Sequence, residues 1–131
     1  MVMSGKFLLD TNIVIAIFAQ ETAVHQQLAN VVEIFIPSIV IGELYFGAYK
    51  SARVSSNIDR IEDFAASNAI LEINTATAKE YGLIKSRLRV KGKPIPENDI
   101  WIAAITRQYD LTLVTRDKHF EEIENLVIDV W

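Results

Sequence analysis

The sequence predicts an α/β protein, a three-layer α/β/α sandwich around a central, mostly parallel sheet of five strands. One observation and one general rule lead to this prediction. Five short apolar runs are separated by longer segments with helical spacing of apolar residues, and strands that alternate with helices favour parallel pairing. The 131 residues, half of them hydrophobic, are enough for one core, so we expect residues 1–131 to form a single domain.

The strand-like runs are short and bounded by polar or turn-forming residues. The first contains the consecutive apolar residues Phe7, Leu8 and Leu9, a pattern typical of a strand that is buried on both faces. The predicted strands are residues 6–9, 33–36, 69–73, 111–115 and 126–130.

The segments between the strands have helical patterns. The predicted helices are 11–18, 22–32, 38–50, 54–67, 75–90 and 98–109, the third opening after Pro37. Apolar faces are predicted at Ile58, Ile61, Phe64 and Ala65 in the fourth helix, at Ala78, Tyr81, Ile84 and Leu88 in the fifth, and at Ile102, Ile105 and Tyr109 in the sixth. The predicted N-caps are Asn74 or Thr75 for the fifth helix and Asn98 for the sixth, and Gly92 follows the fifth helix.

Composition excludes several classes of protein. The chain has no cysteine, so disulfides, thiolate zinc sites, iron–sulfur clusters and thiol nucleophiles are excluded. The longest stretch without a charged residue is 22–32, far too short to cross a membrane, and the N-terminus lacks the pattern of a secretory leader. We therefore expect a cytoplasmic protein. The net charge of −4 argues against coating of nucleic acid by bulk charge but permits a local basic patch.

Four carboxylates are the candidate site. Asp10 and Asp117 follow predicted strands, Asp99 opens a predicted helix, and Glu43 lies in an otherwise apolar helix. In open parallel sheets, ligands bind at the carboxyl ends of the strands, where these acids are expected to converge. Each aspartate alone could be only a helix cap, and Glu43 could face solvent. Together, however, the four would repel one another without a cation, and carboxylates without cysteine favour Mg²⁺ or Mn²⁺.

Metal-activated water attacking a phosphodiester is the reaction that uses all of these parts. Other site chemistries lack their motifs. The glycines form neither a dinucleotide-binding turn nor a phosphate-binding loop. A phosphoaspartate phosphatase would need an aspartate where Asn12 stands, and a phospho-receiver domain would need a lysine after the last strand. His25 and His119 have no serine in a nucleophile setting, and we expect surface or capping roles for them.

Four segments, 10–15, 37–44, 96–104 and 113–120, together resemble the PIN domain of VapC-type toxins. This resemblance implies a small Mg²⁺- or Mn²⁺-dependent ribonuclease, usually dimeric, that a cognate antitoxin inhibits. It assigns the metal-binding and catalytic positions to Asp10, Glu43, Asp99 and Asp117. It also implies that Thr11, Asn12 and Thr115 support these carboxylates through hydrogen bonds. The alternative is a PIN scaffold without activity that serves as a module for binding a protein partner.

The basic residues cluster before the third motif. Six of the 13 lie between residues 75 and 93, with Glu80 the only acid in that range. The candidate RNA-binding residues are Lys85, Arg87, Arg89, Lys91, Lys93 and Arg116. An ordinary solvated helix face would have a similar composition. The consecutive Leu44, Tyr45 and Phe46 cannot all face one core stripe, so part of that helix is expected to meet a second copy or an antitoxin helix, unless packing layers bury it.

Overall fold

Five parallel strands form one sheet, as the alternating pattern predicts. The computed structural model describes residues 3–131, and describes Met3 and Ser4 by their backbone only. The strands are β1 Met3–Leu9, β2 Val31–Pro37, β3 Ala69–Leu71, β4 Thr112–Val114 and β5 Val127–Asp129. Their spatial order is β3-β2-β1-β4-β5, and every neighbouring pair is parallel. The chain moves outward from β1 to β3 and then returns to the other side of β1, which creates a switch point between β1 and β4.

Six helices connect the strands. They are α1 Thr11–Phe18, α2 Thr22–Leu28, α3 Ser38–Tyr49, α4 Val54–Ala66, α5 Thr75–Lys91 and α6 Glu97–Gln108, and a short 3₁₀ helix spans Lys118–Glu122. Connections between parallel strands are right-handed, and the chain reverses its direction across the sheet after β3. The helices before β3 and those after it therefore cover opposite faces of the sheet. The predicted three-layer α/β/α fold is therefore confirmed. In residues 3–131, no helix has both the length and the apolar character that a membrane crossing requires.

The core lies between the sheet and these helices. The apolar run that ends β1 is buried, with Leu8 and Leu9 fully inaccessible. Ile36 in β2 and Leu113 in β4 are buried beside it, as parallel pairing requires. Phe120 from the 3₁₀ helix is also fully buried, which anchors the segment that follows Asp117.

Several predicted boundaries and faces are wrong. The second helix ends at Leu28 and not at residue 32, because Val31 begins β2 and pairs with Met3. The sixth begins at Glu97 after Pro96, whose extended backbone occupies the N-cap position, so Asn98 lies inside the first turn and is not the cap. Tyr109 is 41% exposed because the helix has ended at Gln108.

The fifth helix extends one residue beyond its predicted end, and its first turns bury a different face from the one predicted. Thr77 is fully buried where Ala78 was expected to be, while Ile84 and Leu88 are buried as predicted. Asn74 is the N-cap, and its side chain exchanges hydrogen bonds with Thr77 in a capping box. Thr77 also donates to Gln108 of α6, which holds this face of the helix inward.

Candidate active site

Asp10 lies at the end of the central strand and is only 5% exposed. Its Oδ1 accepts a hydrogen bond of 2.8 Å from the backbone N–H of Thr11, because it caps α1. Its Oδ2 accepts one of 2.7 Å from the hydroxyl of Thr115 and one of 3.2 Å from the amide of Asn12. Both carboxylate oxygens are therefore held in fixed positions at the switch point.

Asn12 and Thr115 also tie the loop after β4 to the start of α1. The Asn12 Oδ1 accepts a 3.2 Å hydrogen bond from the backbone N–H of Arg116. The hydroxyl of Thr115 accepts one of 3.0 Å from the backbone N–H of Asp117. The two side chains thus orient Asp10 and the chain that presents Asp117, as expected of supporting residues.

Glu43 approaches the same edge from α3. Its Oε1 accepts a 3.0 Å hydrogen bond from the hydroxyl of Thr11, the residue next to Asp10. Its side chain is half-buried and does not simply face solvent, which was the alternative that the sequence left open. This hydrogen bond therefore joins α3 to the start of α1.

Asp99 and Asp117 come together with His119. Asp99 is the third residue of α6 and is 9% exposed. Asp117 caps the 3₁₀ helix by accepting a 2.9 Å hydrogen bond from the backbone N–H of His119. The Nδ1 of His119 lies 3.1 Å from Asp117 Oδ1 and 3.3 Å from Asp99 Oδ2. One ligand atom from each of the three residues lies within 4.8 Å of the other two.

His119 lies against the carboxylates, although the sequence marked it only as the more interesting of the two histidines because it follows Asp117. A surface or capping role was expected, but its ring contacts both carboxylates. The only signal in the sequence was its position two residues after Asp117. That spacing brings the ring back over the carboxylate only because Asp117 starts a tight 3₁₀ turn.

Burial and neighbouring negative charge raise the pKa of Asp10, Glu43 and Asp99. Burial raises the pKa of Asp99 to about 7, and the negative charges of Asp117 and Asp10 contribute. Burial also raises the pKa of Asp10, with a smaller contribution from Asp117, although the hydrogen bonds from Thr115 and Thr11 oppose the shift. Burial followed by the charge of Asp10 raises the pKa of Glu43.

The repulsion between these carboxylates indicates whether a metal ion suits the site. Converging carboxylate oxygens that destabilise one another's charged forms are stabilised by a divalent cation, and hard oxygen ligands are those that such cations prefer. The residues present therefore fit a divalent metal. The carboxylates of Asp10, Asp99, Asp117 and Glu43 would offer the oxygens, and the ring of His119 would offer a nitrogen.

The predicted RNA-binding side chains fall into two groups. Three are engaged in contacts within the chain: Lys85 with Glu97, Lys91 with Glu122, and Arg116 with Glu21 and the carbonyl of Trp131. Arg87, Arg89 and Lys93 are exposed and form no ion pair within residues 3–131. The second group therefore offers the more accessible positive charge.

An open groove of about 750 Å³ extends from Thr11 and Glu43 along α3. Ile39, Phe46 and Lys50 line it further along the helix, and Asn98 contributes from the start of α6. Phe46 is 67% exposed, with the Lys50 ammonium 4.5 Å from the centre of its ring. A second groove of about 350 Å³ lies between α1, α3 and α4.

Known proteins are similar to this chain in both sequence and fold. Residues 7–126 match the family described as the PIN domain. Ribonuclease VapC2 of Haemophilus influenzae is 38% identical over 129 residues, which cover 96% of this chain and 98% of that protein. The tRNA(fMet)-specific endonuclease VapC of Shigella flexneri is 32% identical, with the same coverage. In the crystal structure of DNA-bound VapBC from Salmonella typhimurium, a chain that is 30% identical aligns with a TM-score of 0.89 over 100% of this chain and 99% of its own.

The fold, the position of the acids and the family match define the class. The chain belongs to the PIN-domain family. Within that family, its relatives place it among the VapC ribonucleases.

Proposed function

We propose that the protein is an endoribonuclease that hydrolyses RNA phosphodiester bonds with Mg²⁺ or Mn²⁺, and that it acts as the toxin of a toxin–antitoxin pair. The observation that carries the proposal is the cluster of Asp99, Asp117 and His119, whose ligand atoms lie within 4.8 Å of one another. The charge of the nearby Asp10 contributes to the raised pKa values of Asp99 and Glu43. The raised pKa values of Asp10, Glu43 and Asp99 support a site that binds a cation. We also propose that residues 1–131 are one PIN domain, which the single sheet supports.

The four acids have two proposed tasks. Asp10, Asp99 and Asp117 hold the metal, which when bound offsets negative charge on the phosphate and lowers the pKa of water. Glu43 has one oxygen occupied by the hydroxyl of Thr11. Its other oxygen, Oε2, is proposed to accept the proton of the attacking water, and its raised pKa suits a general base. Thr11, Asn12 and Thr115 hold the carboxylates in place.

RNA binding is proposed along α5 and the loop that follows it. Arg87, Arg89 and Lys93 are the primary phosphate contacts, since their charges are not paired within the described chain. Lys85, Lys91 and Arg116 would contact RNA only after leaving their present partners. The loop from residue 92 to Pro96 leads directly into α6, so bound RNA would pass close to Asp99.

A cognate antitoxin and a second copy of the chain are the proposed protein partners. The Salmonella typhimurium and Rickettsia felis relatives of known structure are VapBC complexes. The exposed Phe46 and Tyr49 on α3 and the grooves on either side of that helix support partner binding on this surface. An enzyme that acts on cellular RNA is proposed to work in the cytoplasm.

Cleavage of RNA by the purified protein tests the catalytic proposal. We expect Mn²⁺ or Mg²⁺ to support cleavage, chelation to abolish it, and Asp10→Asn or Asp99→Asn to reduce it at least 100-fold. Asp59→Asn, the same change on the exposed face of α4, is the matched control and should retain activity. Cleavage that survives in a folded Asp99→Asn variant would refute the assigned site. Wild-type protein that does not cleave RNA would favour the alternative, a PIN scaffold without activity.

Expression in growing cells tests the toxin proposal. We expect wild-type protein to arrest growth and co-expression of the neighbouring open reading frame to restore it. Asp10→Asn should be harmless at equal expression. Normal growth with soluble, active wild-type protein would contradict the toxin role without affecting the catalytic one.

A further inference from the structure

We propose that His119 is a direct nitrogen ligand of the divalent cation and that it shifts the preference of the site from Mg²⁺ towards Mn²⁺. The inference rests on the proposed metal-dependent function and adds to it a ligand from outside the four acids. It also makes a statement about which ion the protein selects.

The spacing of the three ligand atoms carries the proposal. Adjacent ligands of an octahedral ion with bonds of about 2.1 Å lie about 3.0 Å apart. The Nδ1 of His119 lies 3.1 Å from Asp117 Oδ1 and 3.3 Å from Asp99 Oδ2, close to that separation. The ring thus occupies the position of a neighbouring ligand to both carboxylates.

Independent parts of the fold bring these atoms together. Asp99 is presented by the first turn of α6, whereas Asp117 and His119 follow β4. The backbone N–H of His119 donates to Asp117 Oδ1 at 2.9 Å, which holds the backbone of the histidine beside that carboxylate. Phe120, the next residue, is fully buried and anchors the same turn in the core.

A competing role explains the same distances. The Nδ1–H group of His119 could donate hydrogen bonds to the two carboxylates and orient them while remaining off the metal. The two roles require different atoms on Nδ1, since a ligand presents a lone pair there and carries its proton on Nε2. They therefore differ in spectroscopy and in ion selectivity.

A nitrogen ligand has a predictable effect on ion choice. Mg²⁺ favours oxygen ligands and retains its waters, whereas imidazole is a good ligand for the first-row transition metals. Mn²⁺ accepts both carboxylates and imidazole. Removal of His119 should therefore weaken Mn²⁺ binding much more than Mg²⁺ binding.

Pulsed EPR of the Mn²⁺-loaded protein tests the ligand directly. The chain has two histidines, and His25 lies on α2 with its Nε2 3.4 Å from the carbonyl oxygen of Ile17. We expect a ¹⁴N coupling from a directly bound imidazole in the wild type and in His25→Ala, and its loss in His119→Ala. Calorimetric titration should show Mn²⁺ affinity falling roughly 10- to 100-fold in His119→Ala, with a change of less than about 3-fold for Mg²⁺.

Three results would overturn the proposal. Mn²⁺ bound without a ¹⁴N coupling, or affinities for both ions lowered equally by His119→Ala, would assign the histidine to carboxylate orientation. Either result would leave the ribonuclease proposal intact, because the acids would still bind the ion. A wild-type protein that binds neither ion would instead refute the metal dependence of the proposed function together with the ligand.

Discussion

At the scale of single residues, hydrogen bonds hold Asp10 in place while burial and neighbouring negative charges oppose its ionisation. Asp10 receives three hydrogen bonds, which fix its orientation and favour its charged form. Burial and the neighbouring acids act in the opposite direction, and they raise the pKa of both Asp10 and Asp99. The folded protein therefore stores charge repulsion that metal binding would relieve.

The charge of Asp99 should destabilise the metal-free protein. The pKa of Asp99 rises from 3.8 to about 7 on folding, so the folded state holds more protons between those values. The free energy of unfolding then decreases as pH rises from about 4 to 7, and the whole penalty remains above pH 7. In chelator at pH 8, Asp99→Asn should be more stable than wild type by on the order of 1–2 kcal/mol, and the difference should shrink near pH 4.

Urea unfolding at the two pH values measures this effect, with Asp59→Asn as the control. Excess Mn²⁺ should reverse the order at pH 8, because only the wild type keeps its full set of carboxylates. If Asp99→Asn is less stable than wild type in chelator at pH 8, the claim that the charge of Asp99 destabilises the metal-free protein is wrong.

Thr11 is expected to position Glu43 rather than to act on RNA. Thr11→Val keeps the size of the side chain but removes the 3.0 Å hydrogen bond to Glu43 Oε1. We expect kcat to fall about 5- to 10-fold with little change in KM, since a hydrogen bond is worth about 1 kcal/mol. Thr11→Ser keeps the hydroxyl and should restore most of the rate. Equal losses in the two variants would show that the methyl group matters instead.

At the scale of elements, the sequence predicts most helices and strands because their signals are local. The run that ends β1 and the capping residue Asn74 are examples, since each is determined by neighbours along the chain. The errors occur where two signals overlap. Val31 and Val32 continue a helical pattern, but pairing with β1 makes them a strand. Asn98 is a good cap by type, but Pro96 starts the helix earlier.

Gly82 inside α5 and Gly92 at its C-cap provide a test of the helix geometry. Gly92 ends the helix with φ +66°, a left-handed conformation that suits glycine, whereas Gly82 lies in the exposed helix interior with open space around its Cβ position. Gly92→Ala should lower the free energy of unfolding by about 1 kcal/mol. Gly82→Ala should raise it by roughly 0.5–1 kcal/mol. Thermal unfolding of both variants checks the pair, and the same sign for both would contradict the assigned helix end.

At the scale of the whole molecule, the order of strands determines the site. Parallel strands were predictable, but their order was not, because it depends on contacts between distant segments. The placement of β1 beside β4 brings Asp10 and Asp117 together, and α6 then adds Asp99. The four acids could be named from the sequence through their motifs, whereas His119 could not, since its role depends on this assembly.

The distribution of charge predicts how salt affects RNA binding. The chain is acidic overall, but four of its acids are in the proposed site and six bases lie between residues 75 and 93. If Arg89 contacts a phosphate of single-stranded RNA, Arg89→Ala should reduce the slope of log K against log salt by about 0.7. Binding measured in chelator, where cleavage is blocked, tests this. Arg53→Ala, an exposed change at the start of α4, should leave the slope unchanged, and an unchanged slope for Arg89→Ala would remove that residue from the RNA surface.

The chemical ends of cleaved RNA test the central claim most directly. Attack by water does not involve the ribose 2′-hydroxyl, so products formed with Mn²⁺ should contain no 2′,3′-cyclic phosphate, and Asp99→Asn should yield no products. Mass spectrometry of a short RNA cut by the purified protein measures both. Cyclic phosphate ends, or cleavage that persists in chelator, would show that the carboxylate site does not hydrolyse RNA as proposed.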